Sequence, residues 1–290
     1  MTGGALDGIE RVLATWLTPS DRVIVEDPGH AVTFDLVAAM GYTAVPVPVD
    51  DLGMRPAELA AALARGAGAV IFTPRAQAAT GAAWDTARAR AISEALRPYP
   101  SVGVIEDDHA GPVSGVPAFS VCRASDRNRW VTLRSVSKSL SPDLRLAVLA
   151  GDEATIARVA GRQALGTGWV SYQLQDMVAD LWADPAAARA LRTAAQVYAL
   201  RGEALRAALL NHGITASGRS GFTCWVRAFD EDGVASALAA DGWAVAPGQR
   251  FRIAAPPGVR ISFARLDPAD ATSFAADLAD ALRHRASRLD

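Results

Sequence analysis

Lysine is almost missing from this sequence. Of its 29 basic residues one, Lys138, is a lysine, and the others are arginines. Arginine replaces lysine wherever positive charge suffices, but it stays protonated and cannot act as a nucleophilic amine. A lysine retained against that bias is a candidate for amine chemistry. The same count also fits a surface lysine kept by chance, so the neighbouring residues decide. Cysteine is scarce too: Cys122 and Cys224 stand far apart without metal-type spacing, as reduced core residues do, and no metal set is read. No apolar run approaches the roughly 20 residues of a membrane span. No basic segment followed by an apolar one opens the chain, so no signal peptide is read. The expectation is a soluble, cytoplasmic protein with no membrane partner. A net charge of −2 gives no bulk attraction to nucleic acid, and none is expected to bind this chain itself.

What is present is a long alternation of apolar patterns. The chain has 290 residues, 50% of them hydrophobic, enough for a large domain and a smaller one. Leu6, Ile9, Val12, Leu13 and Trp16 share one helical face. Strand-like runs follow at Arg22 to Glu26, Thr43 to Val49, Ala69 to Thr73, Val102 to Glu106, Trp130 to Arg134 and Leu144 to Ala150. Helical patterns lie between them, at about 31–40, Arg55 to Arg65 and Trp84 to Leu96. This alternation predicts an α/β fold with a mainly parallel sheet covered by helices. After Gly151 come long Ala/Leu/Arg-rich helices over about 152–210. Short strands near Phe222 to Arg227 and Val259 to Phe263, with helices at about 231–241 and 267–284, predict a smaller C-terminal α+β domain. The boundary is placed near residue 185, giving a large domain over 1–185 and a small one over 186–290.

In open α/β sheets ligands bind at the carboxyl ends of the strands. Gly29-His30, Pro74 to Gly81, Asp107-Asp108-His109 and Ser135 to Lys138 each follow a predicted strand, so four strand ends with polar or special residues converge on one edge. The last of them has a chemical logic. A phosphate needs hydroxyls, backbone N–H groups and a planar cation, and Ser135, Ser137 and Arg145 supply these types around Lys138. Positive charge beside a lysine favours the neutral amine that attacks a carbonyl. A polar loop with a surface lysine is the plainer reading of the same residues.

The order of several motifs adds a resemblance. Ser135-Val136-Ser137-Lys138, followed seven residues on by Arg145, resembles the cofactor-lysine motif of fold-type I pyridoxal-phosphate (PLP) enzymes, the aminotransferase family. Gly4 to Asp7, Glu26 to Gly29, Thr73 to Gln77, Glu106 to His109 and Ser135 to Arg145 occur in the order found in the aminotransferase-like domain of MocR-type transcription regulators, a branch of the GntR family. The resemblance covers nearly the whole chain. It implies PLP as cofactor, held as a Schiff base on Lys138. It implies that Asp107, with Asp108 as the alternate, pairs with the pyridine nitrogen. Ser135, Ser137, Arg145 and the backbone of Gly4 and Ala5 would hold the phosphate. His30 would stack on the ring, and Arg260, in Gly258 to Phe263, would clamp a substrate carboxylate. A homodimer acting on an amino acid or amine is also implied.

This sequence departs from the family pattern at three places. Ala78 stands where an asparagine normally reaches the ring hydroxyl. His109 replaces the usual tyrosine and is the third candidate catalytic residue, beside Lys138 and Asp107. The chain opens almost on the phosphate loop, without the winged helix-turn-helix of a complete regulator. Two functions are therefore expected as alternatives: transamination-type chemistry on an amino acid or amine, or a PLP/ligand-sensing effector domain of a MocR-type regulator lacking its DNA-binding domain.

Overall fold

The computed structural model describes residues 1–122 and 127–286. The first part of the chain alternates helix and strand: α1 (Ala5–Trp16), β1 (Arg22–Asp27), α2 (Ala31–Ala39), β2 (Thr43–Asp50), β3 (Gly53–Met54), α3 (Pro56–Ala64), β4 (Ala69–Phe72), α4 (Thr86–Leu96), β5 (Gly103–Asp107), β6 (Trp130–Ser135) and β7 (Ala147–Gly151). These strands make one sheet in the order β3-β2-β1-β4-β5-β6-β7. β2, β1, β4, β5 and β6 run parallel, and the edge strands β3 and β7 run antiparallel to their neighbours.

The burial of these strands explains their composition. β4 and β5 are buried at every residue, as parallel strands covered on both faces must be. One face packs Ile24, Val70, Phe72 and Val104 against Leu59 and Leu63 of α3 and Ile92 and Leu96 of α4. The other packs Val25, Ile71, Ile105 and Leu133 against Ile9, Leu13 and Trp16 of α1. The buried face of α1 matches the predicted stripe except at its start, where Gly8 is buried and Leu6 is only partly so. The cause is close approach: a Cβ on Gly8 would lie 2.3 Å from Leu133 Cδ2. β7 begins at Ala147, three residues later than its pattern suggested, because Leu144 to Leu146 lie in turns hydrogen-bonded over two or three residues. The link from Val136 to Leu146 is shorter than the roughly dozen residues of a parallel crossover, so β7 returns antiparallel.

Three helices follow, α5 (Glu153–Ala164), α6 (Tyr172–Ala183) and the long α7 (Pro185–Asn211). Beyond them lie β8 (Ala216–Ser217), β9 (Thr223–Arg227), α8 (Glu231–Ala240), β10 (Ala246–Pro247), β11 (Gly258–Ser262) and α9 (Ala271–Ala286). β10-β11-β9-β8 form a second, antiparallel sheet. Its core joins Val226, Ile261 and Phe263 to Leu205 and Leu209 of α7, Leu238 of α8 and Leu278 of α9. Earlier along α7, Leu191, Ala194 and Tyr198 pack on Ala76, Ala110 and Val113 of the first part. Cys122 and Cys224 are both buried. The strand order reverses at β1, with β2 on one side and β4 on the other, which opens a crevice at the carboxyl ends of β1 and β4.

Candidate active site

The carboxyl ends of β1, β4, β5 and β6 lie side by side, so the four predicted loops do meet at one edge. Glu26, His30, Thr73, Asp107 and His109 line one narrow cavity there. His30 is the N-cap of α2, and its Nδ1 lies 2.9 Å from Thr33 Oγ1.

The two neighbouring aspartates at the end of β5 have opposite surroundings. Asp108 is buried and clamped: its oxygens accept from Arg75 Nε and Nη2 at 2.8 Å each and from Arg134 Nη2 at 2.7 Å. The two guanidiniums hold its carboxyl below the usual carboxylate range despite burial. Asp107 is buried at 7% exposure, and its Oδ1 has no hydrogen-bond partner among the described residues. Burial, then the charge of Asp108, pushes its carboxyl up to about 7. Consecutive strand residues point to opposite faces, which separates these roles. Glu26 is also pushed up, to about 7, mainly by burial, although its Oε1 accepts from the Thr73 N–H at 3.2 Å. An unpartnered buried acceptor is rare in a folded protein and marks a place where a donor belongs.

Lys138 sits in the turn after β6, exposed, with the turn closed by Leu140 N–H donating to Val136 O at 2.8 Å. Its charge is felt by both histidines. His30 is lowered by burial, then by Arg260 and Lys138. His109 is lowered to about 3 by burial, then by His30 and Lys138, so it is a neutral imidazole at physiological pH. Lys138 and Arg260 therefore lie within electrostatic reach of the two histidines that line the cavity.

The expected phosphate residues converge as well. Ser135 pairs with Ala147, which also bridges to Thr2, so the end of β6 and the start of α1 are neighbours. Ser135 Oγ and Ser137 Oγ are 2.9 Å apart. Arg145 Nη2 donates to Gly3 O at 3.2 Å. Gly4 has φ +117, and a Cβ there would lie 2.6 Å from Arg145 Nη2, so glycine makes room for the guanidinium. Gly4 caps α1 without a side-chain bond, which leaves N–H donors at the positive end of that helix facing the serines and the arginine.

Arg260 lies on β11, in the second sheet, and reaches across. Its Nε donates to Ala78 O at 2.7 Å, and its guanidinium lies 5.1 Å from the centre of the Phe251 ring. Where the side chain of residue 78 is shortened to a methyl group, its carbonyl serves as the arginine's rest. Sequence reasoning left several supporting residues without roles. Gln77 shapes the loop after β4, its Nε2 donating to Pro28 O at 2.7 Å and its Oε1 accepting from Ala79 N and Thr80 N. Arg75 neutralises Asp108, and Glu26 faces the cavity. For Glu26 the available signals were its place in the Glu26 to Gly29 motif and a carboxylate directly after the buried β-branched run of β1.

A family model described as aminotransferase class I and II matches residues 1–278. The chain belongs to that family. It is 41% identical over 285 residues to the vitamin B6 salvage pathway transcriptional repressor PtsJ of Salmonella typhimurium, covering 97% of this chain and 66% of the repressor. It is 29% identical over 297 residues to the HTH-type transcriptional regulator TauR of Rhodobacter capsulatus, covering 98% of this chain and 60% of TauR. The chain thus spans less than two thirds of the length of these curated relatives. Among solved structures it resembles LysN, the α-aminoadipate aminotransferase of Thermus thermophilus complexed with N-(5'-phosphopyridoxyl)-L-leucine, with a TM-score of 0.87 at 20% identity over 99% of this chain and 77% of LysN. It resembles the kynurenine aminotransferase of Pyrococcus horikoshii with a TM-score of 0.86 at 20% identity, over 98% of this chain and 74% of that one. The fold is that of the fold-type I aminotransferases, and the relatives named as regulators agree with the MocR-type resemblance. Among the described residues no helix is long and apolar enough to cross a membrane.

Proposed function

We propose that this aminotransferase-family chain binds PLP at Lys138 and handles an amino acid or amine there. The observation that carries this is the unpartnered Oδ1 of buried Asp107, facing a cavity to which Lys138 also couples. A protonated pyridine nitrogen is the donor that oxygen lacks, and PLP, when bound, supplies an electron sink for charge developing at the substrate Cα. Lys138 Nζ would hold the cofactor covalently and, as a free amine, move a proton at the substrate Cα. Ser135, Ser137, Arg145 and the N–H groups at Gly4 and Ala5 would hold the phosphate. His30 would pack on the ring. His109, being neutral, can give the ring oxygen one hydrogen bond without adding charge. Arg260 would receive a substrate carboxylate through its guanidinium nitrogens.

The reading divides the chain near residue 185 into a cofactor-binding part and a smaller part bearing Arg260. It also includes a homodimer. α6 buries only Val178, while Tyr172, Met177 and Trp182 on it and Trp169 just before it are exposed. An apolar surface of that extent fits a subunit contact.

A second reading is favoured by one observation, the 41% identity to a repressor over 97% of this chain. In it the same site senses PLP, or PLP with an amine, and a DNA-binding segment elsewhere responds. The test is the visible spectrum with PLP before and after borohydride reduction, beside Lys138→Ala. A lysine-dependent band fixed at Lys138 supports binding. Identical spectra for the two proteins, with nothing fixed, refute it. Multiple turnovers with an amino acid and a keto acid then favour the enzyme, and binding without turnover favours the sensor.

A further inference from the structure

We propose that Asp27 is the positioning residue that sets Arg260 in the site, acting through the loop between β10 and β11. For the identity of the carboxylate ligand this rests on the function proposed above. For the geometry it stands alone.

Asp27 ends β1 and is 3% exposed. Its carboxylate accepts from three consecutive backbone N–H groups of the other sheet's loop: Ile253 at 2.9 Å, Ala254 at 2.7 Å and Ala255 at 2.7 Å. Ile253 and Ala254 are themselves exposed, so the loop contributes little apolar burial of its own and is held by polar contacts. Gly29 N–H adds a bond to Phe251 O at 2.7 Å. On its other side the loop is tied to the start of α8 by Glu231, whose Oε1 accepts from Arg252 Nε and Gly258 N at 2.8 Å each. Two buried carboxylates therefore hold the loop between them, one from the end of β1 and one from the start of α8. The loop carries Phe251, on whose ring the Arg260 guanidinium rests, and it leads directly into β11, which carries Arg260. Charge-assisted bonds to a buried carboxylate are strong and directional. With them the guanidinium is held between the Phe251 ring and Ala78 O. Without them the loop, Phe251 and the start of β11 lose their tie to the first sheet.

The consequence is selectivity. A ligand with a carboxylate depends on Arg260 and hence on Asp27, whereas the matching amine without a carboxylate does not. The test uses the full chain with Asp27→Asn, which keeps the shape, and Asp27→Ala, with melting curves to verify folding. Without cofactor, amide hydrogen exchange over 249–256 should speed up at least about tenfold, the factor that loss of one charge-assisted bond carries, while β1 and β4 stay protected. Labelling of Arg260 by phenylglyoxal, read by peptide mass, should speed up in parallel. With PLP bound, half-saturation by an amino acid should rise about tenfold or more and that by the decarboxylated amine should stay within about twofold. Combining either variant with Arg260→Gln should add little further loss. Unchanged exchange and labelling would overturn the proposal, as would equal weakening of both ligands. If the wild type takes up no PLP, the functional reading fails by itself, and exchange and labelling still decide whether Asp27 positions Arg260.

Discussion

Replacing Asp107 by asparagine should make the cofactor-free chain more stable at alkaline pH while removing its grip on PLP. The folded carboxyl sits at about 7 against an ordinary value of 3.8. A raised acid binds its proton more tightly when folded, so the unfolded state carries fewer protons between those two values and stability falls as pH rises through that window. Below about 4 the penalty is absent, and above about 7 it is complete. From pH 5 to 7 the two units, at about 1.4 kcal/mol each, amount to roughly 3 kcal/mol of stability lost by the wild type through this one group. Asparagine has no proton to lose, so the variant should lack that share. Glu26, raised to about 7 as well, keeps a residual slope in both proteins. Urea denaturation of the cofactor-free proteins at pH 5, 6, 7 and 8 measures the difference directly. Parallel stability–pH curves for wild type and variant would show that Asp107 is not the strained acid described here. In the same variant PLP affinity should fall, because an amide does not neutralise a protonated pyridine.

Other residues give independent tests. Arg145→Gln should weaken PLP binding about tenfold or more by removing the guanidinium beside Gly4, with little change in the melting temperature of the cofactor-free chain, as measured by spectral titration and thermal scans. Asp108→Ala should cost about 3–5 kcal/mol in denaturant unfolding, because it leaves the buried Arg75 guanidinium without its counter-charge. Gly8→Ala should cost about 1–3 kcal/mol, since its methyl would fall 2.3 Å from Leu133 Cδ2 and α1 must lift from β6.

Much of the site was legible in the chain itself. A single lysine, set among serines and seven residues before an arginine, marked a candidate for amine chemistry beside a candidate anion site, because no arginine can form that bond. The alternation of β-branched runs and amphipathic segments determined a mainly parallel, helix-covered sheet, since strands buried on both faces must be apolar at nearly every position. Strand-end loops rich in polar residues pointed to one edge. What the sequence could not determine were choices made by long-range contacts. Asp107 and Asp108 are chemically alike and adjacent. Only the fold sends one toward Arg75 and Arg134, distant in sequence, and leaves the other in a cavity without a donor. The antiparallel return of β7, the burial of Gly8 in place of Leu6, and the meeting of Ser135 with Thr2 through Ala147 likewise depend on which strands become neighbours. The clamp from Asp27 to residues 253–255 joins two sheets across more than two hundred positions. Local propensity and periodicity act over a turn or a strand, and contacts of that span are decided by the packing of the whole chain.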